Sequence, residues 1–458
     1  MIREFFYPNS IAVIGATANP KKFGNAVTIN ILQNKELESD IYLVTKGSKE
    51  IEGIKCFKSI LDIPHKVDIA IILVPSKIVE VIIDECIEKK VKGIIIVTAG
   101  FGEIDEEGKQ IEKKLSQKCK NAGIRVMGPN CVGIQNNEIN LNASFIQMAP
   151  KGNISMISQS GSFACALFYA MEKENLGCSK FANIGNDIDV SFIDILKYYN
   201  EDEMSKIICI YMETIDSGKQ FCKNINDMIP NKPVVILKGG KTNYGMKAAS
   251  SHTGALATNY KMLKTAVRQA GAILCEEIND FVLALKAFSF LPLPRGDKIG
   301  VLTNSGGSSV LFSDKAEEYG LKLANFSTEF LKKIKPYLIP LVKLVNPLDM
   351  IGVAEEKQYY EITKAMLEDH NIDIVVPCLV VPPFLEMSTS EHFRGMIRAW
   401  NETNREKPLI PLILMGHKFE DIKELATREN APIYYTPHEA AYTIKLLIER
   451  KQILKRKA

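Results

Sequence analysis

Apolar residues in this chain fall into short uninterrupted runs, and between the runs they recur only every third or fourth position. The runs at 10–15, 41–44, 67–74, 93–98 and 124–127 read as strands covered on both faces. Helical spacing begins near Asn25 and returns over 77–89 and 105–121. Apolar strands alternating with helices predict a parallel, doubly wound sheet for residues 1–130.

A turn-rich stretch, 125–135, leads out of that sheet, and the same rhythm then resumes. Strands are predicted at 153–157, 206–212 and 233–237, with helices at 163–173, 189–199, 217–228 and 259–269. Pro292, Pro294 and Gly296 mark a linker. A third α/β unit follows, with strand-like runs at 299–303, 374–377, 409–414 and 433–435. The pattern as a whole predicts an α/β protein of three domains, at 1–130, 150–290 and 297–458.

A length of 458 residues agrees with that domain number. Apolar residues at 46% and charged residues at 24% are ordinary for a globular chain. The net charge of +3 argues against nucleic acid as a partner. The basic tail at 451–457 reads as a frayed, solvated helix end. Ten cysteines without a Cys-x-x-Cys pair read as reduced thiols of a cytoplasmic protein and supply no metal spacing. No apolar run is long enough for a membrane helix, and the first residues lack the order of a signal peptide.

Candidate chemistry gathers where predicted strands meet helices. Gly15 closes the first strand and Gly24 precedes the first helix, so the dinucleotide fingerprint Gly-x-Gly-x-x-Gly is absent. Lys46 follows the second strand, where a nicotinamide-binding sheet carries an acid. It is open to two readings, a contact to a ribose phosphate or a lysine facing water. Two later stretches share one layout: Met156-Ile157-Ser158-Gln159-Ser160-Gly161 and Val301-Leu302-Thr303-Asn304-Ser305-Gly306. Each is an apolar strand, a polar pair, Ser-Gly and a helix start, leaving backbone N–H groups aimed above the strand ends. Two such corners can grip one phosphate from two sides, although each taken alone is also an ordinary helix cap.

The stretch 238–257 is predicted to be a long loop of Gly, Ala, Ser and Lys around a single imidazole, His252. Lys238, Lys241 and Lys247 bias it positive, and Ser250, Ser251 and Thr253 offer hydroxyls to an anion. Imidazole titrates near neutrality and is a nucleophile towards phosphorus, so His252 is read as a carrier of phosphate. Glu213, after the 206–212 strand, either holds that imidazole in one tautomer or caps the following helix.

Several of these words occur together and in order. They are Val13-Ile14-Gly15-Ala16-Thr17 with Gly24-Asn25, Thr98-Ala99-Gly100-Phe101-Gly102-Glu103, and Gly128-Pro129-Asn130-Cys131. The two Ser-Gly corners, the Lys238-Gly239-Gly240 to Ser250-Ser251-His252-Thr253-Gly254-Ala255 stretch, and Asn346-Pro347-Leu348-Asp349 complete the set. Over essentially its whole length the chain resembles the nucleoside-diphosphate-forming acyl-CoA synthetases, the family of ADP-forming acetyl-CoA synthetase and of succinyl-CoA synthetase.

The resemblance implies a Rossmann-like, CoA-binding domain followed by two flavodoxin-like domains. The first of these carries the phosphohistidine loop, and the second is the ligase-CoA domain. It implies that His252 is phosphorylated and that Glu213 steadies it. Ser158, Ser160, Gly161, Asn304, Ser305, Gly306 and Gly307 would hold phosphate, and Gly15, Thr17, Lys22, Lys46, Pro75, Gly100 and Asn130 would contact coenzyme A. It implies an ADP-forming acid–thiol ligase that interconverts acetyl-CoA or a similar acyl-CoA, ADP and phosphate with acid, coenzyme A and ATP. The family's nucleotide-binding ATP-grasp module is not recognised in this sequence. A separate β subunit carrying Mg-ADP or Mg-ATP is therefore expected, in an α2β2 assembly. Alternatives are a succinate–CoA ligase-like enzyme, a dehydrogenase using a phosphorylated dinucleotide, and a CoA-binding scaffold or sensor without chemistry. No Arg pair announces a dicarboxylate substrate.

Overall fold

The first apolar run, β1 (Ser10–Ile14), is buried along its length and forms the middle of a seven-stranded sheet. The structure is a computed structural model that describes residues 2–34, 36–215, 217–253, 259–380, 389–414 and 419–457; the side chains at 250–253, 389 and 419 lie outside that description. The sheet adds β2 (Asp40–Val44), β3 (Glu50–Ile51), β4 (Ile54–Phe57), β5 (Ile69–Ile72), β6 (Gly93–Ile96) and β7 (Arg125–Met127) in the order β3-β4-β2-β1-β5-β6-β7. All its pairs are parallel except β3 with β4. The helices Ser76–Lys89 and Glu106–Asn121 bring Val79, Ile83, Cys86, Leu115 and Cys119 onto Ile72, Ile94 and Ile96, making one apolar core.

A second seven-stranded sheet follows. Its strands are β8 (Gly133–Asn136), β9 (Leu141–Ser144), β10 (Lys151–Ser158), β11 (Cys178–Asn183), β12 (Ile207–Met212), β13 (Val234–Lys238) and β14 (Ile273–Cys275), in the order β14-β13-β12-β10-β11-β8-β9. The stretch 125–135, read as a turn-rich exit, is in fact the end of one sheet and the start of the next. β8 and β9 pair antiparallel, so the second sheet takes strands from ahead of residue 150. Their polar sequence concealed them. Gln135, Asn136 and Asn137 are buried, and their amides bond Gln147 O, Phe6 O and Cys178 O, which makes a polar strand tolerable inside.

These two sheets belong to one compact unit, Met1–Phe281; the other unit is Val282–Ala458. The latter is built on β15 (Lys298–Thr303), β16 (Lys322–Leu323), β17 (Leu348–Asp349), β18 (Ile374–Leu379) and β19 (Leu412–Ile413), all paired parallel. The expected strand at 433–435 is a single bridge from Tyr434 to Leu412. The basic tail is not frayed: it ends the helix Pro437–Lys457 and buries Ile453. Among the described residues no helix is long and apolar enough to cross a membrane.

The expected long loop at 238–257 is helical over Asn243–Thr253. Residues 254–258 lie outside the described residues.

Candidate functional site

In an open parallel sheet, ligands bind beyond the carboxyl ends of the strands, where neighbouring connections diverge. β1 lies between β2 and β5, and β10 between β11 and β12, so each sheet has one such crevice. Both crevices meet at a single cavity of about 670 Å3, within the range of cofactor and substrate sites. Its walls are residues 21–23, 73–75, 97–99, 130–132 and 159–162, with Phe145 and Asn183.

Three helices begin on this cavity. Lys22 is the N-cap of Phe23–Leu32, Pro75 of Ser76–Lys89 and Ser160 of Gly161–Lys173, and all three caps line the walls. None of the three helices has an acidic residue in its first turn. Their positive ends are therefore not neutralised locally, and Lys21 and Lys22 add charge of the same sign. The arrangement suits a ligand with several separated negative charges.

Glycines let these parts approach. Gly15 has φ +99°, and a Cβ there would stand 2.8 Å from Leu73 O; a Cβ on Gly24 would stand 2.2 Å from Gly15 O. The pair thus does the work of a glycine-rich turn at a different spacing. At the second crevice the Ser158 hydroxyl donates to Ser160 O (2.7 Å) and accepts from Ser160 N (3.1 Å), while Ser160 Oγ accepts from Phe163 N (3.3 Å). Asn183 ties this corner to the first crevice, donating to Ser158 O (2.8 Å) and accepting from Val132 N (2.7 Å).

The sequence echo is reproduced in part in the other unit, where the two hydroxyl bonds recur but Ser305 makes no side-chain cap bond. Thr303 Oγ1 donates to Ser305 O (3.0 Å) and accepts from Ser305 N (2.9 Å) at the start of the helix Gly306–Glu318. Thus Ser158 and Thr303 shape the corners and their hydroxyls are already engaged. The Asn304 amide is likewise engaged by Val380, whose N–H donates to Asn304 Oδ1 (3.0 Å). Gly306 and Gly307 stand at the helix start, with Asp349 Oδ2 3.0 Å from where a Gly306 Cβ would lie.

Of the residues expected to contact coenzyme A, Lys22, Pro75 and Asn130 line the cavity, as do Ser160 and Gly161 from the phosphate set. Gly15, Thr17 and Gly100 support its walls from behind: Asn25 Nδ2 donates to Thr17 O (3.0 Å), and Gly100 packs on Ser76. Lys46 is exposed and is not a wall residue. Sequence reasoning missed Lys21, Phe23, Phe145, Gln159, Ser162 and Asn183. Phe23 stacks on Phe145, with ring centroids 4.3 Å apart. Burial pushes the Cys131 thiol up to about 12, so this wall residue is no thiolate near neutrality.

Glu213 is buried beside Gln159. Gln159 Oε1 accepts from the N–H groups of Glu213 and Thr214, so the cavity wall and the end of β12 are one hydrogen-bonded piece. Tyr211 Oη donates to Glu213 Oε1 (3.1 Å). Lys238 is buried and donates to Glu213 O and Gly239 O; burial lowers its pKa, against the pull of Glu213. Lys241 is drawn to Glu276 and Glu277, which leaves Lys247 exposed, so the positive bias expected of 238–257 is smaller than its lysine count suggests. His252 falls in the helix Asn243–Thr253, and its side chain lies outside the described residues.

Three family models match consecutive parts of the chain: a CoA binding domain over residues 9–137, a succinyl-CoA ligase like flavodoxin domain over 151–288, and a ligase-CoA domain over 299–420. The chain is similar to the acetate–CoA ligase (ADP-forming) II subunit alpha of Pyrococcus furiosus, 41% identical over 98% of each chain. It is also similar to the longer acetate–CoA ligase (ADP-forming) I of Archaeoglobus fulgidus, 34% identical over 97% of this chain and 63% of that one. Among solved structures, it is similar to the dinucleotide forming acetyl-coenzyme A synthetase 1 of Ca. Korarchaeum cryptofilum in complex with phosphate and ADP. The TM-score is 0.94 at 29% identity, covering 99% of this chain and 98% of that one.

Proposed function

This chain belongs to the family of ADP-forming acetate–CoA ligases, and from that premise we propose how its residues divide the reaction. It acts as the alpha subunit, interconverting acyl-CoA, ADP and phosphate with acid, coenzyme A and ATP. The observation that carries this reading is the convergence of three helix N-termini, none with an acid in its first turn, on one cavity beside Lys21 and Lys22. Acyl-CoA brings a diphosphate, a ribose phosphate and a thioester, and inorganic phosphate is a second anion. The ends at Lys22 and Pro75 suit the diphosphate, and the end at Ser160 suits inorganic phosphate.

A phosphate oxygen attacks the thioester carbonyl; the C–O bond forms, the C–S bond breaks and coenzyme A leaves as thiolate, taking up a proton. The N–H groups of Gly161 and Ser162, at the start of that helix, stabilise the oxyanion of that step. His252 Nε2 then attacks phosphorus. The N–P bond forms as the P–O bond to the acyl group breaks, releasing the carboxylate. Glu213 steadies the imidazole, and the Thr303–Gly307 corner serves phosphate in the way its twin does. Gly239 and Gly240, the latter at φ +76°, are the pivot on which the His252 segment moves. The phosphoryl group passes to Mg-ADP on an ATP-grasp β subunit in an α2β2 assembly. The end-to-end match to a relative named as subunit alpha supports a separate partner.

Incubating the chain with acetyl-CoA and labelled phosphate is expected to leave an acid-labile, base-stable phosphoramidate. His252→Ala is expected to take up no label; label at the wild-type level would remove His252 from the mechanism.

A further inference from the structure

Side chains two apart on a strand share a face, so Tyr211 and Glu213 stand together at the end of β12. The main chain of Glu213 is held from one side by Gln159 and from another by Lys238. Its carboxylate is met by the phenol: Tyr211 Oη lies 3.1 Å from Glu213 Oε1. The Tyr211 ring stacks on Phe163 with centroids 4.0 Å apart and planes 22° apart. Phe163 belongs to the first turn of the helix that opens on the cavity, and its N–H is the one capped by Ser160. On its other side the phenol reaches Gly239, where an added Cβ would stand 2.9 Å from Tyr211 Oη and 3.4 Å from Glu213 Cγ. One aromatic residue therefore touches the cavity helix, the Glu213 carboxylate and the start of the segment that leads to His252.

We propose that Tyr211 is a positioning residue for phosphoryl transfer: its hydroxyl sets the orientation of the Glu213 carboxylate, and its stack on Phe163 locks that orientation to the helix end that takes phosphate. The inference rests on the reading above, that Glu213 steadies a phosphohistidine at His252. Burial, reinforced by Glu213, raises the phenol pKa, so the hydroxyl keeps its proton and stays a donor throughout the neutral range. A phenol suits this post because its ring is fixed by stacking while its tip donates a hydrogen bond.

Tyr211→Phe keeps the ring and the stack and removes only the donor. Rapid-quench labelling of the full chain with acetyl-CoA and phosphate is expected to show phosphohistidine forming about tenfold more slowly, as for loss of a hydrogen bond to a charged group. The KM for the CoA thioester should stay at its wild-type value, because the cavity walls are untouched. In the double variant Tyr211→Phe/Glu213→Gln the rate should equal that of Glu213→Gln alone, since Tyr211 acts only through the carboxylate. Wild-type rate in Tyr211→Phe beside a slow Glu213→Gln would overturn this inference alone, as would losses that multiply in the double variant. Wild-type rate in Glu213→Gln would overturn the assignment beneath it as well.

Discussion

Gly161 shows how narrow the tolerances at the cavity are. A Cβ at this position would lie 2.0 Å from Val132 Cγ1, so the start of the phosphate-facing helix sits directly against the first crevice. Gly161→Ala is expected to cost about 1–3 kcal/mol by overpacking, read as a lower urea midpoint. Val132→Ala should restore most of that loss in the double variant, because the clash is with one side chain; no rescue would mean that the backbone conformation is what Gly161 protects. At this scale the residues expected to hold phosphate fall into two groups by where the structure places them. Ser160 and Gly161 do line the cavity, whereas the hydroxyls of Ser158 and Thr303 and the Asn304 amide serve the backbone around them. Residue type tells what a side chain can donate, not which partner reaches it first.

Among elements, the helix starts position the chemistry. The helix Phe23–Leu32 begins where Gly24 packs on the carbonyl of Gly15, backbone against backbone. Gly24→Ala has no flexible side chain to displace, so the helix itself must shift, carrying Lys21, Lys22 and Phe23 with it. Its expected signature is a KM for coenzyme A raised several-fold with a smaller change in kcat; an unchanged KM would mean that this wall does not hold the cofactor. The stretch 238–257 was read as a loop because Gly, Ser and Ala are turn residues in bulk. Alanine is also the best helix former, and small side chains allow close packing: Ala249 is buried, and a Cβ on Gly240 would stand 3.2 Å from its own. Strand-to-helix alternation was legible for the long elements. Two-residue strands such as β3 and β17, and the polar strand β8, carry no periodicity long enough to read.

Within the first unit, distant segments are joined by a few polar side chains. Asn130, a cavity wall residue, donates to Asn186 Oδ1 (3.2 Å), and Asn186 Nδ2 donates to Glu103 Oε2 (2.6 Å) and Glu112 Oε1 (2.7 Å). Burial raises the Glu112 carboxyl above its ordinary value, and Glu103 raises it further against the lowering by Asn186 and the Gly102 N–H. The folded chain therefore holds a proton that the unfolded chain releases. Its stabilisation is complete below the ordinary value of 4.5 and is lost as pH rises through the raised folded value. Relative to wild type, Glu112→Gln is expected to have a flatter urea midpoint from pH 4.5 upward, with the two curves diverging as pH rises. Parallel curves would show that Glu112 does not titrate differently on folding. By itself the sequence determined the alternation of strand and helix, the two Ser-Gly corners and the separate words that mark the family, because each is written within a short stretch of neighbouring residues. Only the tertiary structure decided which residues share the cavity and which carboxylate faces which donor. The contacts that do so, Asn183 to Val132, Gln159 to Glu213 and Asn186 to Glu103, span 51, 54 and 83 positions, and no local pattern records a partner so far along the chain.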